Sequence, residues 1–546
     1  MGNRLGRSTP LLSEAEWHRY GGAHFVVLPC HVEHVEEPQP QEAVEGAVGQ
    51  RRPPNWQAMV SVLKREITCP AELKQAFCDI KNGAEVKCRF FEDHYGIQPE
   101  AAADDEKHER RERFFRRTLP FIQSMALRLP ELFPSPKAIP LLLPQVEASV
   151  SFTKEQIACL MASSFMCTLW AQPSWYSSHA FPDFALDSLY AYSGDASAAI
   201  LQCIIHYFDR LCEDGIPLGT VSYTRRALQK DSKPDWPYSD KLVQKVTCHI
   251  EGFIEDCADS LHADFANQYI GGGVLRGGAV QEEILFAIKP ECLPSMLVCA
   301  RMDENETILL EGAERYSTCS GYAHSLAFHS DFRDLSPTDS RGHKGCPIIA
   351  MDAVVARGRG QWQEHFMLRD LNKAYCGCLP SPADAERDTL MPFATGNWGC
   401  GAFGGDKALK FFQQVMAASQ AGREIYYFTF KEKYQGTPLH LLIAQFCDIT
   451  AEHHVSLGSL SLSLSLSFLN LFLVVSAHLS SFYVCYNYDG CYCRGSLRCN
   501  KQGRKRVLRQ HRRFTWQLLR GTCPPLRCCV LWKEKAYGGV EKIRRE

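Results

Sequence analysis

The apolar residues of this chain change their spacing near Val243, and that change limits the fold more than any single motif does. From Trp56 to about Arg226 they recur mostly at i, i+3, i+4 and i+7, over Arg113 to Leu132, Lys154 to Trp170 and Ala198 to Cys212. This is the spacing of helices with one buried face. Beyond Val243, short β-rich runs appear at Val246 to Ile254, Thr307 to Leu310, Ile348 to Val355 and Glu424 to Phe430. They alternate with helical stretches at Gln281 to Ile288 and Lys407 to Ala418, the pattern of a layered α/β domain. Glycines cluster at the ends of these runs, at Gly271 to Gly273, Gly277-Gly278 and Gly399 to Gly405. Loops at the strand ends of such sheets usually hold ligands.

The 546 residues leave room for two domains and tails. The expected organisation is a loosely ordered lead over 1–55, an all-helical region over 56–242, an α/β domain over 243–455 and an atypical tail over 456–546. The lead contains one apolar island, His24 to Val32, and closes on Arg51-Arg52-Pro53-Pro54. A composition of 45% hydrophobic and 22% charged residues excludes a disordered, collagen-like or polytopic membrane chain. The net charge of -2 gives no overall basic excess to recruit nucleic acid. It hides an asymmetry, because 16 basic and 4 acidic residues between Asn487 and Glu546 leave -14 on the other 486. Of the 25 cysteines, seven fall between Cys485 and Cys529. The rest are scattered through apolar stretches and read as reduced, buried thiols. No apolar stretch follows the basic residues of Met1 to Glu16, so a nucleocytoplasmic setting is expected.

Ser456 to Ser467 is almost a perfect Ser-Leu alternation and runs into Phe468 to Val475. A membrane anchor with a basic flank is one reading, diluted by the serines, Asn470 and His478. An amphipathic strand is another. We favour translated non-coding sequence, since a CT-dinucleotide repeat read in frame yields alternating Leu and Ser.

The chemistry concentrates in Asp264-Phe-Ala-Asn267-Gln-Tyr-Ile-Gly271-Gly-Gly273, seven residues, then Gln281-Glu282-Glu283-Ile284. Three consecutive glycines allow positive φ and let the backbone touch a phosphate or ribose. Gln281 to Ile288 reads as a helix stopped before Pro290, with both glutamates in its first turn. Acids there complement the helix dipole without any catalytic duty. Neighbouring helical residues also point about 100° apart, so the two carboxylates could address different atoms of one sugar. Glycosidic cleavage needs such a set: one acid protonates the departing oxygen while others position water and steady an oxocarbenium-like transition state. Asp264 is the candidate third acid.

Gly-Gly-Gly, seven residues, Gln-Glu-Glu resembles the signature of the poly(ADP-ribose) glycohydrolase family. Further motifs of that family occur in order. Asp264-Phe-Ala-Asn267 resembles the lead into the loop, Gly321-Tyr322-Ala323 the tyrosine motif, and Thr395-Gly-Asn397 through Gly405 the diphosphate loop. Tyr427-Phe-Thr-Phe430 resembles the strand that follows, and Gln156 to Leu160 and His206-Tyr-Phe208 resemble segments of its helical domain. The similarity spans roughly residues 60–455. It implies a macrodomain-like three-layer α/β/α catalytic domain with an all-helical N-terminal accessory domain, and hydrolysis of ribose-ribose bonds in poly(ADP-ribose). It implies that Glu283 is the acid, with Glu282 and Asp264 as essential partners. Asn267, Gln281, Gly272 and Gly273 would bind the riboses, and Ile254 and Glu255 the adenine. The backbone of Asn397, Trp398, Gly399, Cys400, Gly401 and Ala402, with Phe403 beside it, would cradle the diphosphate. Tyr322 and Phe430 would flank the adenine and the terminal unit. The implied partners are the polymer and poly-ADP-ribosylated proteins, met by a monomer in nucleus and cytoplasm, without cofactor, metal, membrane or sequence-specific nucleic acid.

Each residue has a plainer reading. Tyr322 and Phe430 could be core aromatics, and Asn397 a left-handed turn residue. Cys400 between glycines could be a nucleophile, but no paired histidine motif supports it. Cys376-x-Cys378 lacks a second ligand pair at zinc spacing. Arg504-Lys505-Arg506 could be a nuclear signal or phosphate patch. The main rival function is a non-catalytic ADP-ribose reader; a dinucleotide oxidoreductase lacks its Gly-x-Gly-x-x-Gly fingerprint.

Overall fold

The computed structural model describes residues 25–32, 55–96, 105–135, 137–169, 181–191, 194–356, 358–385 and 387–464. Phe468 to Val475, the Arg504-Lys505-Arg506 cluster and the seven tail cysteines lie outside the described residues. Residues up to Leu457 form one compact unit, and Gly458 onward a second, described only along a helix over Leu457–Leu464. Among the described residues no helix is long and apolar enough to cross a membrane.

The longer helices of the first half are α1 Trp56–Leu63, α2 Pro70–Ile80, α3 Arg89–Tyr95, α4 Asp105–Arg113, α5 Leu119–Leu127, α6 Lys154–Phe165 and α7 Asp195–Asp214. Between and after them come β1 Ala148–Thr153, β2 Thr220–Ala227, β3 Val246–His249, β4 Leu261–Asp264, β5 Glu306–Glu311, β6 Ser317–Ser320, β7 Ala327–Asp331, β8 Ile348–Ala350, β9 Phe393–Thr395 and β10 Ile425–Phe428. Helices α8 Gln281–Ile288, α9 Glu364–Cys378, α10 Lys407–Ala421 and α11 Leu439–His453 complete the set. Strands β6 and β7 form a separate hairpin.

Eight strands make one mixed sheet in the order β1-β2-β5-β8-β4-β9-β10-β3. The β1, β2, β5 and β8 neighbours run antiparallel, while β8, β4, β9, β10 and β3 are parallel. All six residues of β5 are buried, because both faces of the sheet are covered. Ile308, Leu310, Ile348 and Ala350 join the core built by the N-terminal helices. On the opposite face Gly377 of α9 lies against Ile349 and Thr307. The sheet is covered by helices on both faces, as expected, but the helical region shares its core with the sheet.

Two strands come from the stretch expected to be all helical. β2 carries Arg225, fully buried, whose guanidinium meets Glu306 Oε2 at 2.5 Å and donates to Leu142 O at 3.1 Å. A buried ion pair inside a strand breaks the apolar alternation by which strands are recognised. β1 alternates Ser, Val, Ser, Phe but is short and runs straight into α6, whose N-cap Thr153 forms a capping box with Gln156. The lead also differs from expectation in one place: the island over 25–32 is packed rather than loose. Val26 N donates to Ile139 O at 2.8 Å, and Val26, Leu28 and Cys30 are in the core. Strand ends were over-extended: β3 stops at His249, before Gly252 at φ +90°, and β10 at Phe428, before Phe430 and Lys431 at φ +52° and +57°.

Candidate active site

The carboxyl ends of the parallel strands converge on one crevice, the usual ligand position of an open α/β sheet. Asp264 is the last residue of β4, the glycine loop over 396–405 follows β9, and Phe430 follows β10.

After Asp264 the chain loops through Gly271 to Gly273 and enters α8 at Gln281. Helix α8 turns both glutamates back onto this loop. Glu282 accepts from Asn267 N at 2.8 Å and from Gly271 N at 2.7 Å. Glu283 accepts from Gly273 N at 2.8 Å and from Val280 N at 2.9 Å. The side chains diverge as adjacent helical positions must, and only one of four bonds, that from Val280, is ordinary helix capping. Gly272 sits between them at φ +52°, where a Cβ would lie 2.5 Å from Glu282 Oε2 and 2.6 Å from Glu283 Oε1. Without a side chain the loop can close on both acids. Gln281 is fixed from two sides, accepting from Phe265 N at 2.8 Å and donating to Ala263 O at 3.2 Å and Glu255 Oε1 at 3.3 Å.

Asp264 is fully buried, and neither of its oxygens has a hydrogen-bond partner among the described residues. Burial first, then the charges of Glu283 and Glu255, hold its carboxyl well above the ordinary carboxylate range. Glu282 is also pushed well up, by burial, Asp264 and Glu283, against the two amide bonds that favour its charged form. The charges of neighbouring carboxyls oppose one another, so the cluster binds protons more tightly than isolated carboxylates do. Burial and then Glu283 raise the Tyr322 hydroxyl, placing that half-exposed ring beside Glu283.

The loop after β9 presents its backbone. Cys400, Gly404 and Gly405 donate to Asn397, Gly401 and Gly399 carbonyls at 3.0, 2.9 and 2.8 Å. The amides of Gly399, Gly401, Ala402 and Phe403 donate to no acceptor among the described residues, which leaves them open to an anion. Gly399 is at φ +70°, where a Cβ would strike that of Ala353 at 2.5 Å. Asn267 and Phe403 also border a cleft of about 350 Å³ lined by residues 301–304 and 352–355.

Several expectations need correction. The Trp398 side chain cannot meet a ligand: it is fully buried, donates to Met351 O at 2.8 Å and lies 4.8 Å beneath Lys410 Nζ. It is an anchor for the loop, and only its backbone runs beside those open amides. Ile254 is likewise buried, in a cluster with Ala394 and Phe428, so its side chain is withdrawn from any adenine. Asn397 is not in a left-handed turn; its side chain accepts from Tyr427 OH at 3.2 Å and donates to Thr429 O at 3.4 Å. Tyr322 and Phe430 are 54% and 39% exposed, too open for core aromatics. Burial pushes the Cys400 thiol up to about 12, which disfavours the thiolate a nucleophile needs. Among the described residues no His, Cys, Asp or Glu group could hold a metal.

Sequence reasoning missed Phe265 and Lys410. Phe265 packs against the Ile254 cluster, near Gly396 and Phe430; its place inside the Asp264 motif was the available signal. Lys410 also pairs with the buried Asp370, a contact no local pattern announces.

Buried acids on a glycine loop, beside open amides at the carboxyl ends of a mixed sheet, define a macrodomain-type site equipped for sugar chemistry. Residues 233–436 match the family model described as Poly (ADP-ribose) glycohydrolase (PARG), Macro domain fold, and residues 106–225 match its helical domain. Poly(ADP-ribose) glycohydrolase 1 of Arabidopsis thaliana is 31% identical over 407 residues, 60% of this chain and 73% of the relative. The probable poly(ADP-ribose) glycohydrolase 2 of the same plant is 31% identical over 409 residues, 62% and 76% of the two chains. The chain belongs to the poly(ADP-ribose) glycohydrolase family. The Thermomonospora curvata glycohydrolase crystallised with the inhibitor ADP-HPD shares 17% identity over 37% of this chain and 78% of its own, with a TM-score of 0.25, too loose to add to the argument.

Proposed function

We propose that the chain hydrolyses ribose-ribose O-glycosidic bonds in poly(ADP-ribose), chiefly from the free end, and releases ADP-ribose. The observation that carries this reading is the carboxyl cluster: two acids clamped on a side-chain-free loop, over a third whose buried oxygens are unpartnered. Glu283, on the Tyr322 side of the cluster, hands a proton to the departing ribose oxygen. Glu282 and the buried Asp264 raise the proton affinity of the cluster, and Glu282 fixes the loop that faces the sugar. Positive charge then develops at the anomeric carbon, water attacks, and the diphosphate on the 399–403 amides steadies that charge. Asn267 and Gln281 orient the riboses, and Tyr322 and Phe430 flank the terminal unit. The substrate is met on poly-ADP-ribosylated proteins in nucleus and cytoplasm, by a monomer.

A reader of ADP-ribose would need the open amides and the aromatics but not three converging acids. Labelled polymer incubated with the parent protein and with Glu283→Gln separates the two. The variant is expected to lose about 10²- to 10⁴-fold in rate, and equal ADP-ribose release from both would end this assignment.

A further inference from the structure

Helix α7 and the β6–β7 hairpin meet at two cysteines that the reaction does not use. Cys203, fully buried on α7, and Cys319, partly buried on β6, have their sulfurs 3.5 Å apart. The hairpin register shifts between Thr318 and Cys319, with His329 of β7 as the extra residue, and such a bulge bends the strand that carries it. Three residues later comes Tyr322, followed by Ala323, whose amide donates to Ala279 O at 2.9 Å just ahead of α8. The far end of the hairpin is already tied to α7: His206 Nε2 lies 2.9 Å from Asp331 Oδ1, and Arg210 donates to Phe332 O at 3.1 Å. The end that carries Tyr322 rests on α7 through the rings of Phe328 and His206, 5.2 Å between centroids, and through the cysteine pair.

We propose that Cys203 and Cys319 are a peroxide-oxidised thiol pair whose disulfide staples the tyrosine hairpin to α7 and slows the enzyme; the effect on turnover rests on the functional reading above. Cys319 reacts first. It is the more accessible sulfur, and the hydrogen bond it shares with Cys203 pulls its thiol down, with Arg315 nearby contributing. Its thiolate attacks a peroxide oxygen, the O–O bond breaks, and sulfenic acid and hydroxide form. The Cys203 sulfur then attacks the sulfenic sulfur, its proton leaves with the displaced hydroxyl as water, and the S–S bond forms. Closing from 3.5 Å to a bond of about 2.05 Å draws the end of β6 toward α7. Tyr322 moves with it, relative to Glu283.

The test uses the full chain treated with hydrogen peroxide. Mass spectrometry is expected to find a disulfide-linked peptide joining Cys203 and Cys319, polymer turnover to fall at least about threefold, and dithiothreitol to restore it. Cys203→Ser and Cys319→Ser should keep their turnover through the same treatment. No linked peptide, a linked peptide with unchanged turnover, or equal inactivation of both variants would each overturn the proposal. Should the reduced protein prove inert on polymer, the functional reading falls by itself. The linked peptide and a change in ADP-ribose affinity on oxidation, read by calorimetry, would then decide the switch.

Discussion

Gly272 is a tight point of the site, wedged where a single methyl would touch the carboxylates of both Glu282 and Glu283. Gly272→Ala is expected to displace them and cut polymer turnover by about 100-fold or more, since misplacement by about 1 Å costs that much. Steady-state kinetics with circular dichroism to confirm folding would check this; near-parental turnover would show that the glycine is not needed for the acids. Asp264 makes a different prediction. Its folded-state carboxyl sits well above the ordinary 3.8 because burial and Glu283 oppose its charge. The stability it contributes is therefore whole below about 3.8 and drains away as pH rises toward the folded-state value. Asp264→Asn removes the titration, so its melting temperature relative to the parent should climb as pH rises above about 3.8 while turnover collapses. A stability difference that stays flat across that range would contradict it. The residue types of this cluster were legible in the sequence because chemistry requires acids next to glycines. That Trp398 and Ile254 turn inward was not, because which side of a loop faces the core is set by long-range packing such as Lys410 over Trp398.

At the scale of elements, Lys154 opens α6 and joins it to the catalytic region. Its ammonium is buried, 2.5 Å from Glu291 Oε2, 2.7 Å from Gly312 O and 3.2 Å from Glu314 Oε1. Lys154→Met strands Glu291 as a buried charge, while Glu314 keeps Lys344 at 2.8 Å, and should cost about 3 to 5 kcal/mol in denaturant unfolding. A loss under about 1 kcal/mol would show that the cluster is not holding the helix to the sheet. Helices with one apolar face were readable from spacing alone, and α8 runs over the expected Gln281–Ile288. β2 was not, because Arg225 in its interior is neutralised only by Glu306 on the neighbouring β5, a partner far away in sequence. The end of β10 was overrun for a local reason: Phe430 and Lys431 adopt positive φ, which their residue types do not advertise.

For the molecule as a whole, the helical region does not stand apart from the catalytic one. Its core runs on into Ile308, Leu310 and Ile348 of the sheet, and 25–32 packs into the same core. The sheet brings loops from β4, β9 and β10 to one edge, so the acids and the open amides of the 399–403 loop lie at that edge without being near one another in sequence. The change of apolar period announced the layered architecture, and the glycine clusters announced the edge that carries the site. How the layers share one core could not be read, because it depends on contacts between residues hundreds of positions apart. On the proposed function, the acids of α8 meet the anomeric centre of a sugar whose diphosphate rests on the 399–403 amides. A crystal structure of the protein with ADP-ribose tests it most directly. The anomeric carbon is expected within reach of the Glu282–Glu283 pair and the diphosphate on those amides; a nucleotide bound elsewhere, with the carboxyl cluster untouched, would refute the proposed function.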